Sequence, residues 1–375
     1  MIDSGAFWWD NVTGPQLLVD RLVILLGEGK TVLLQSADKL PWREQLMDCI
    51  AQRMVSTSIR PIDWPRGMLT KDEVASALLQ ELAPGKVSAC PVDYQAQLRF
   101  LKKQKVFAGS VVWVNARETQ SWTELRRFLS DYRSRDLEQE GGFVVELSME
   151  QEIPMHLAKH MEILPCRKYV YKNDIRLFAS ILVSKYSRPD RAMWEYAAAL
   201  SAELVGQNVN LIPEFLQLMD FTKDDAKTVF LSMGADSSEK DIETQVWKAQ
   251  LQAVFPMIEM ERIRITGQYA DLIDQALAAE YWDPQNERSG YVTQLGELGH
   301  EEIKDPSELE LGTMVRMMSL KRNEDRNQNL LVFPEPSLRS WIIALTNCRN
   351  KLAHHSVCTP GEIHNILRAY YDCNG

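Results

Sequence analysis

The sequence predicts an α/β domain followed by all-α regions, on three observations. Short β-rich runs alternate with helical stretches from the N-terminus to about Tyr171, the β signal fades after about Asn173, and beyond it the apolar residues recur at helical spacing. These place a mainly parallel sheet domain at 1–172, a helical middle region at 173–238 and a helical bundle at 239–375.

Each element has its own signal. The runs at 32–35 (Val-Leu-Leu-Gln), 111–114 (Val-Val-Trp-Val) and 143–147 (Phe-Val-Val-Glu-Leu) are compact and apolar, as strands covered on both faces must be. Between them, Leu125, Phe128, Leu129 and Tyr132 recur at three- and four-residue spacing opposite Arg126, Arg127, Asp131 and Arg133, which predicts an amphipathic helix over 122–133. Lys168-Tyr169-Val170-Tyr171 is read as a last short strand closing the sheet. Helical patterns then run through Phe178, Ile181 and Leu182, and through Trp194, Ala197, Ala198 and Leu204; Gly206 with Asn208 and Asn210 ends one of these helices. The run from Gly234 to Lys240 reads as a turn before the last domain. From Asp241 a long helix passes through Trp247, Leu251, Val254, Phe255, Ile258 and Ile265, across Pro256. Helices at 311–320 and 338–353 follow, and Thr359-Pro360-Gly361-Glu362 is a capping box with proline at the first helical position, giving a four-helix unit.

Composition narrows the function classes. A chain of 375 residues exceeds what one core usually organises, so two or three domains are expected. Its 45% hydrophobic and 25% charged residues are those of a globular protein, which excludes the disordered class. With 42 Lys plus Arg against 52 Asp plus Glu, the net charge of −10 disfavours a coat on nucleic acid while leaving room for a local basic cleft. No run of about twenty apolar residues is present, so no membrane span is expected, and Met1 to Gly5 lacks the basic start of a secretory signal. The expected compartment is the cytoplasm. Cys49, Cys90, Cys166, Cys348, Cys358 and Cys373 show no CxxC spacing, so free thiols are expected ahead of a metal or disulfide role. There is no internal repeat that would signal a solenoid.

Gly27-Glu28-Gly29-Lys30-Thr31 ends like a phosphate-binding loop, but such a loop follows a strand and opens a helix. Here the order is inverted, because the strand at 32–35 comes after it. The loop that does follow this strand, Ser36-Ala37-Asp38-Lys39-Leu40-Pro41-Trp42-Arg43, has neither glycine nor a Lys-Ser/Thr pair. The strand at 111–114 ends in Asn115-Ala116, where Mg²⁺ and an attacking water would need acids. Nucleotide hydrolysis is therefore not expected, and no cofactor. The layout of strand, loop, helix and later helical region nevertheless resembles the STAND and AAA+ class of P-loop ATPases over roughly residues 1–230. That resemblance implies an ATPase-like domain that has lost its catalytic motifs, with some other α/β domain as the alternative.

The strongest local signal is Thr346-Asn347-Cys348-Arg349-Asn350-Lys351-Leu352-Ala353-His354-His355, at the end of a helix whose apolar stripe is Leu338, Trp341, Ile342, Leu345, Cys348 and Leu352. Asn350 and His354 share one helix face, while Arg349 lies about 140° around from His354. Arg349, Asn350 and His354 resemble the RNxxxH signature of the HEPN superfamily, and Leu309 to Met318 is similar to that family's turn into its second major helix. The resemblance covers about 241–375. It implies an all-α domain that dimerises and, in the family's nucleases, a metal-independent RNA-cleaving cleft with Arg349 holding phosphate and His354 as acid or base. Asn350 would orient His354 or hold a phosphate oxygen. The chemistry is coherent: RNA brings its own 2′-hydroxyl nucleophile, histidine titrates near neutrality and arginine grips phosphate with two donors. The competing reading makes Arg349 and His354 cations that cap a helix C-terminus. RNA is thus a candidate partner beside a second copy of the chain and protein partners of a defence complex. The family role is phage defence or toxin-type growth control, and the rival is a non-catalytic scaffold or adaptor subunit.

Weaker candidates remain. His156 and His160 are four apart and could bind a metal from one helix face, although a solvated face is the plainer reading and no metal is expected. Lys102-Lys103-Gln104-Lys105 is an RNA-contact candidate or a solvated helix end, and Trp8-Trp9 a partner-docking pair or a clasp onto the chain's own sheet.

Overall fold

The computed structural model describes residues 3–55, 57–133, 136–153, 157–186, 190–206, 208–235, 237–281, 291–294, 300–303, 305–321 and 327–374. The chain divides into two compact units, Met1–Phe178 with Val205–Leu211 and Ala179–Leu204 with Ile212–Gly375.

The first unit runs α1 (Ser4–Asn11), α2 (Thr13–Gly27), β1 (Thr31–Ser36), α3 (Arg43–Arg53), β2 (Ser58–Asp63), α4 (Val74–Leu82), α5 (Tyr94–Lys103), β3 (Ser110–Asn115), α6 (Trp122–Asp131), α7 (Leu137–Glu140), β4 (Gly142–Ser148) and β5 (Met161–Pro165). The five strands form one wholly parallel sheet in the order β2-β3-β4-β1-β5, with Val32 opposite Val144 and Leu33 opposite Ile163. Successive side chains of a strand point to opposite faces. Leu33, Val112, Val114, Phe143, Val145 and Leu147 pack with Val74, Leu78, Leu98, Leu125 and Phe128 of α4, α5 and α6. The residues between them turn to the other face, where α3 brings Arg43 onto Glu146. A parallel sheet covered on both sides is why β3 and β4 read as apolar runs, that of β4 interrupted only by the paired Glu146.

Two expectations about the sheet change. Residues 168–171 are not a strand: Cys166–Lys168 make a 3-10 turn, and the Tyr171 N–H is accepted by Asp174 at 2.8 Å, the reach-back that opens α8 (Lys172–Tyr186). The closing strand is β5, which pairs with β1. At the other edge β2 (Ser-Ile-Arg-Pro-Ile-Asp) carries a proline that an inner strand could not hold, while its Arg60 guanidinium is spent on the carbonyls of Val106 and Leu82.

The second unit takes up the C-terminal part of α8, α9 (Trp194–Val205), α10 (Ile212–Leu218), α11 (Ala226–Ser232), α12 (Glu239–Gln268), α13 (Ala270–Tyr281), β6 (Tyr291–Gln294), β7 (His300–Ile303), α14 (Leu311–Met317), α15 (Pro336–Ala353) and α16 (Pro360–Asn374). The 30-residue α12 absorbs Pro256 and starts at a Ser238 cap. Among the described residues, 239–375 holds five helices rather than four, and it is not all-α: β6 and β7 pair antiparallel. Four-residue strands of mostly polar sequence give no periodicity to read. The capping box is in place, with Thr359 N–H to Glu362 at 2.8 Å and Glu362 N–H to Thr359 Oγ1 at 3.3 Å. No helix among the described residues is long and apolar enough to cross a membrane.

Candidate functional site

The Arg-Asn-His cluster sits where α15 stops. Leu338, Ile342, Leu345, Cys348 and Leu352 bury one stripe of this helix, which leaves its last turn at the surface. His354 caps the helix with its N–H on Asn350 O at 3.0 Å. His355 then takes a left-handed conformation (φ 57°), its N–H reaching Leu352 O at 3.3 Å and that of Ser356 reaching Lys351 O at 2.8 Å. This is a Schellman ending with histidine in the place glycine usually takes. Trp247 of α12 holds it: its ring stacks on His355 at 4.4 Å and its Nε1 donates to Leu352 O at 2.7 Å. The two histidines are thereby distinguished. His355 is committed to Trp247, whereas the exposed His354 ring has no hydrogen-bond partner among the described residues.

Arg349 lies elsewhere on the same helix end. Its guanidinium is 3.4 Å from both Glu310 oxygens and 3.5 Å from Asn350 Oδ1, long contacts that a better acceptor could displace. It lines a cleft of about 400 Å³ with Phe255, Glu259, Arg262, Glu308, Glu310 and Leu311. Arg262 is already used: it pairs with Glu259 at 2.9 Å and donates to Ser307 O at 2.5 Å. Two arginines against three carboxylates leave the cleft at 2 − 3 = −1. Asn350 thus meets Arg349, while Arg349 and His354 face different directions from one helix end. Sequence reasoning placed Trp247 only in a helix stripe and gave Glu310 no role; neither has a local signal, because each matters through a residue about 40 or more positions away.

The loop after β1, where an α/β sheet binds ligands, is closed by side chains. The Arg117 guanidinium donates to Ser36 O at 3.0 Å, Ser36 Oγ at 2.6 Å and Ala37 O at 2.7 Å. Trp9 Nε1 donates to Pro41 O at 3.0 Å. The side chains that hold this loop therefore bind its carbonyls, whereas a phosphate cradle is built from amide donors. Gly27 to Thr31 lies at the other end of β1, where Lys30 donates to Lys159 O at 2.7 Å. Beneath the loop, Glu146 is buried against Arg43 (2.6 Å) and accepts from Trp113 Nε1. Burial raises its pKa above the ordinary 4.5, and the Arg43 charge and the Trp113 hydrogen bond pull it back.

The weaker candidates resolve plainly. His160 lies in a turn before β5 rather than on a helix, with Nε2 3.1 Å from Leu129 O, so no helix face is shared; His156 lies outside the described residues. Lys102 binds Glu140 and Arg133 O, and Lys105 binds Gln139, so this run ties α5 down locally. Trp8 and Trp9 are each 1% exposed, Trp8 edge-on to Phe178, which makes them a clasp rather than a docking pair.

No family model matches the chain, and no curated protein matches it. Among solved structures, it is similar to a point mutant of Thermotoga maritima RuvB at 13% identity and TM-score 0.36, over 64% of this chain and 74% of that one. A second Thermotoga maritima RuvB mutant gives 11% identity and TM-score 0.33 over 77% and 89%. Drosophila ORC bound to DNA gives 11% and 0.31 over 94% and 85%. At these TM-scores the likeness carries no argument about what this chain does.

Proposed function

We propose that the chain is a metal-independent ribonuclease whose HEPN-like helical part, 239–375, cuts RNA as a symmetric pair, and whose α/β part, 1–172, is a regulatory domain shaped like a P-loop ATPase without its phosphate machinery. The observation that carries the reading is the end of α15, where the His354 ring stands open and Arg349, on another side of the same helix end, is only weakly held by Asn350 and Glu310. Arg349 would steady the developing phosphorane charge. His354 would move the proton of the 2′-hydroxyl or of the leaving oxygen. Two residues about 140° apart on one helix do not meet over one phosphate, whereas two facing copies can each supply one of them. A role in phage defence or toxin-type growth control rests on the family resemblance alone.

Two observations favour a second reading, a non-catalytic scaffold or adaptor subunit. The Arg349 cleft carries more carboxylates than cations, and the loop after β1 is sealed by Arg117. The deciding experiment is cleavage of a mixed RNA pool in EDTA by the full chain, beside Arg349→Ala and His354→Ala. Cutting that survives EDTA and is lost in both variants supports the nuclease. Intact RNA at every protein concentration rejects a nuclease that self-assembly alone switches on and moves the weight to the adaptor.

A further inference from the structure

Cys348 and Cys358 stand apart from the other thiols. Their sulfurs are 3.1 Å apart, both residues are buried (2% and 4% exposed), and they belong to different elements, the α15 stripe and the turn before α16. Each is held in place independently. Cys348 is fixed by its helix, while the Gln250 side chain clamps the Cys358 backbone, accepting from its N–H at 2.8 Å and donating to its carbonyl at 2.9 Å. A disulfide has an S–S length of about 2.05 Å, so the two sulfurs need to close by only about 1 Å. The residues between them include Arg349, Asn350, His354 and His355.

Access fits the same reading. Cys358 lines a partly open cavity of about 290 Å³ with Tyr196, Asp225, Lys227, Gln250 and Thr359, room enough for a small oxidant. The two thiols share one hydrogen bond, which either sulfur can donate, and of the two it is Cys358 that lines the cavity. Cys358 is thereby the nucleophile and Cys348 the resolving thiol.

We propose that Cys348 and Cys358 are a reversible thiol–disulfide pair, oxidised by peroxide, that locks the α15–α16 connection carrying Arg349 and His354. The Cys358 thiolate attacks one peroxide oxygen, the O–O bond breaks, and the hydroxide released takes up the proton Cys358 had lost, giving a sulfenic acid and one water. Cys348 sulfur then attacks Cys358 sulfur; the S–S bond forms, the S–O bond breaks, and the hydroxide leaves with the Cys348 proton as the second water. Two thiols lose two electrons and one peroxide gains them. A small-molecule dithiol reverses the reaction by exchange.

The test uses the full-length protein treated with hydrogen peroxide, then unfolded, alkylated and mapped peptide by peptide. The expected result is one cross-linked pair joining the Cys348 and Cys358 peptides, two hydrogens lighter than the reduced pair and restored by dithiothreitol, with alkylated cysteines falling from six to four. Cys348→Ser and Cys358→Ser should each lose the cross-link, while Cys49→Ser keeps it. Six alkylated cysteines after peroxide, a cross-link between other positions, or Cys358 driven to sulfinic acid beside an alkylated Cys348 would each overturn the proposal. The wild-type map decides even if a serine variant folds poorly. The readout counts thiols rather than cut RNA, so it stands or fails apart from the ribonuclease reading.

Discussion

Replacing Arg43 with methionine should cost the protein about 3 kcal/mol at neutral pH, because it strands the buried Glu146 carboxylate. Glu146 is 3% exposed and its ion partner Arg43 26%, so the loss belongs at the lower end of what breaking a buried pair costs. The pH dependence follows from the direction of the Glu146 shift. Burial raises its native pKa above 4.5, with Arg43 and Trp113 opposing, so between its unfolded and native pKa the native state binds more protons than the unfolded one. Stability from this group is therefore full below the unfolded pKa and is lost as pH rises through the native one. Removing Arg43 lifts the native pKa further and extends the loss to higher pH. Urea unfolding of wild type and Arg43→Met should show a gap that is small near the unfolded pKa and grows as pH rises above it, and Glu146→Gln added to the variant should flatten it. A gap of equal size across that range would refute the assignment, since a packing defect does not titrate. The same pair anchors the helix that follows the β1 loop, so an unchanged gap would also undercut the view that side chains stand here where a nucleotide would.

Glu362→Gln should lose about 1 kcal/mol at neutral pH. Burial raises the Glu362 pKa, but Lys351 and the Thr359 donors outweigh it and hold it low, so its contribution is present above the unfolded pKa and the difference from wild type should fade as pH drops through the lowered native pKa in a pH series of melts. Gly141→Ala should destabilise by about 2 kcal/mol or more. Its backbone sits at φ 74°, ψ 178°, and a Cβ there would meet Phe107 O at 2.2 Å, so denaturant titration that finds no loss would contradict the described turn. Trp247→Phe keeps the stacking ring over His355 but drops the bond to Leu352 O, a loss of about 1 kcal/mol, with faster amide exchange confined to the end of α15. Glu310→Gln should leave stability within about 1 kcal/mol and tighten single-stranded RNA binding measured by fluorescence anisotropy, since it frees Arg349 and removes one charge from its cleft.

The parts of the fold that were legible are those whose residues interact with near neighbours in sequence or with a uniformly apolar environment. β1, β3 and β4 are buried on both faces and show as apolar runs; the Thr359-Glu362 box spans four residues and shows as a cap. β2 and β5 escaped because they are edges. One interrupts its run with Arg60 and Pro61, the other with Glu162, and only pairing with β3 and β1 makes them strands. Tyr169 to Tyr171 misled for the complementary reason: aromatic and branched residues look like a strand until Asp174 captures the Tyr171 amide and turns the chain into α8.

At the candidate site, helical phase placed Asn350 with His354 and set Arg349 apart, and the structure adds what phase does not carry. Which histidine is open depends on Trp247, about a hundred residues upstream, and the charge that Arg349 faces depends on Glu259, Glu308 and Glu310. A guanidinium surrounded by carboxylates does not attract a phosphate by itself, since the cleft's net −1 opposes the approach. A second copy that brings its own cations to this rim, or a contact that draws Glu310 away, would change the sign of the local potential. The chemistry would then be switched by assembly rather than by a bound metal or nucleotide, and the same carboxylates that argue against a lone active chain become the device that keeps it silent.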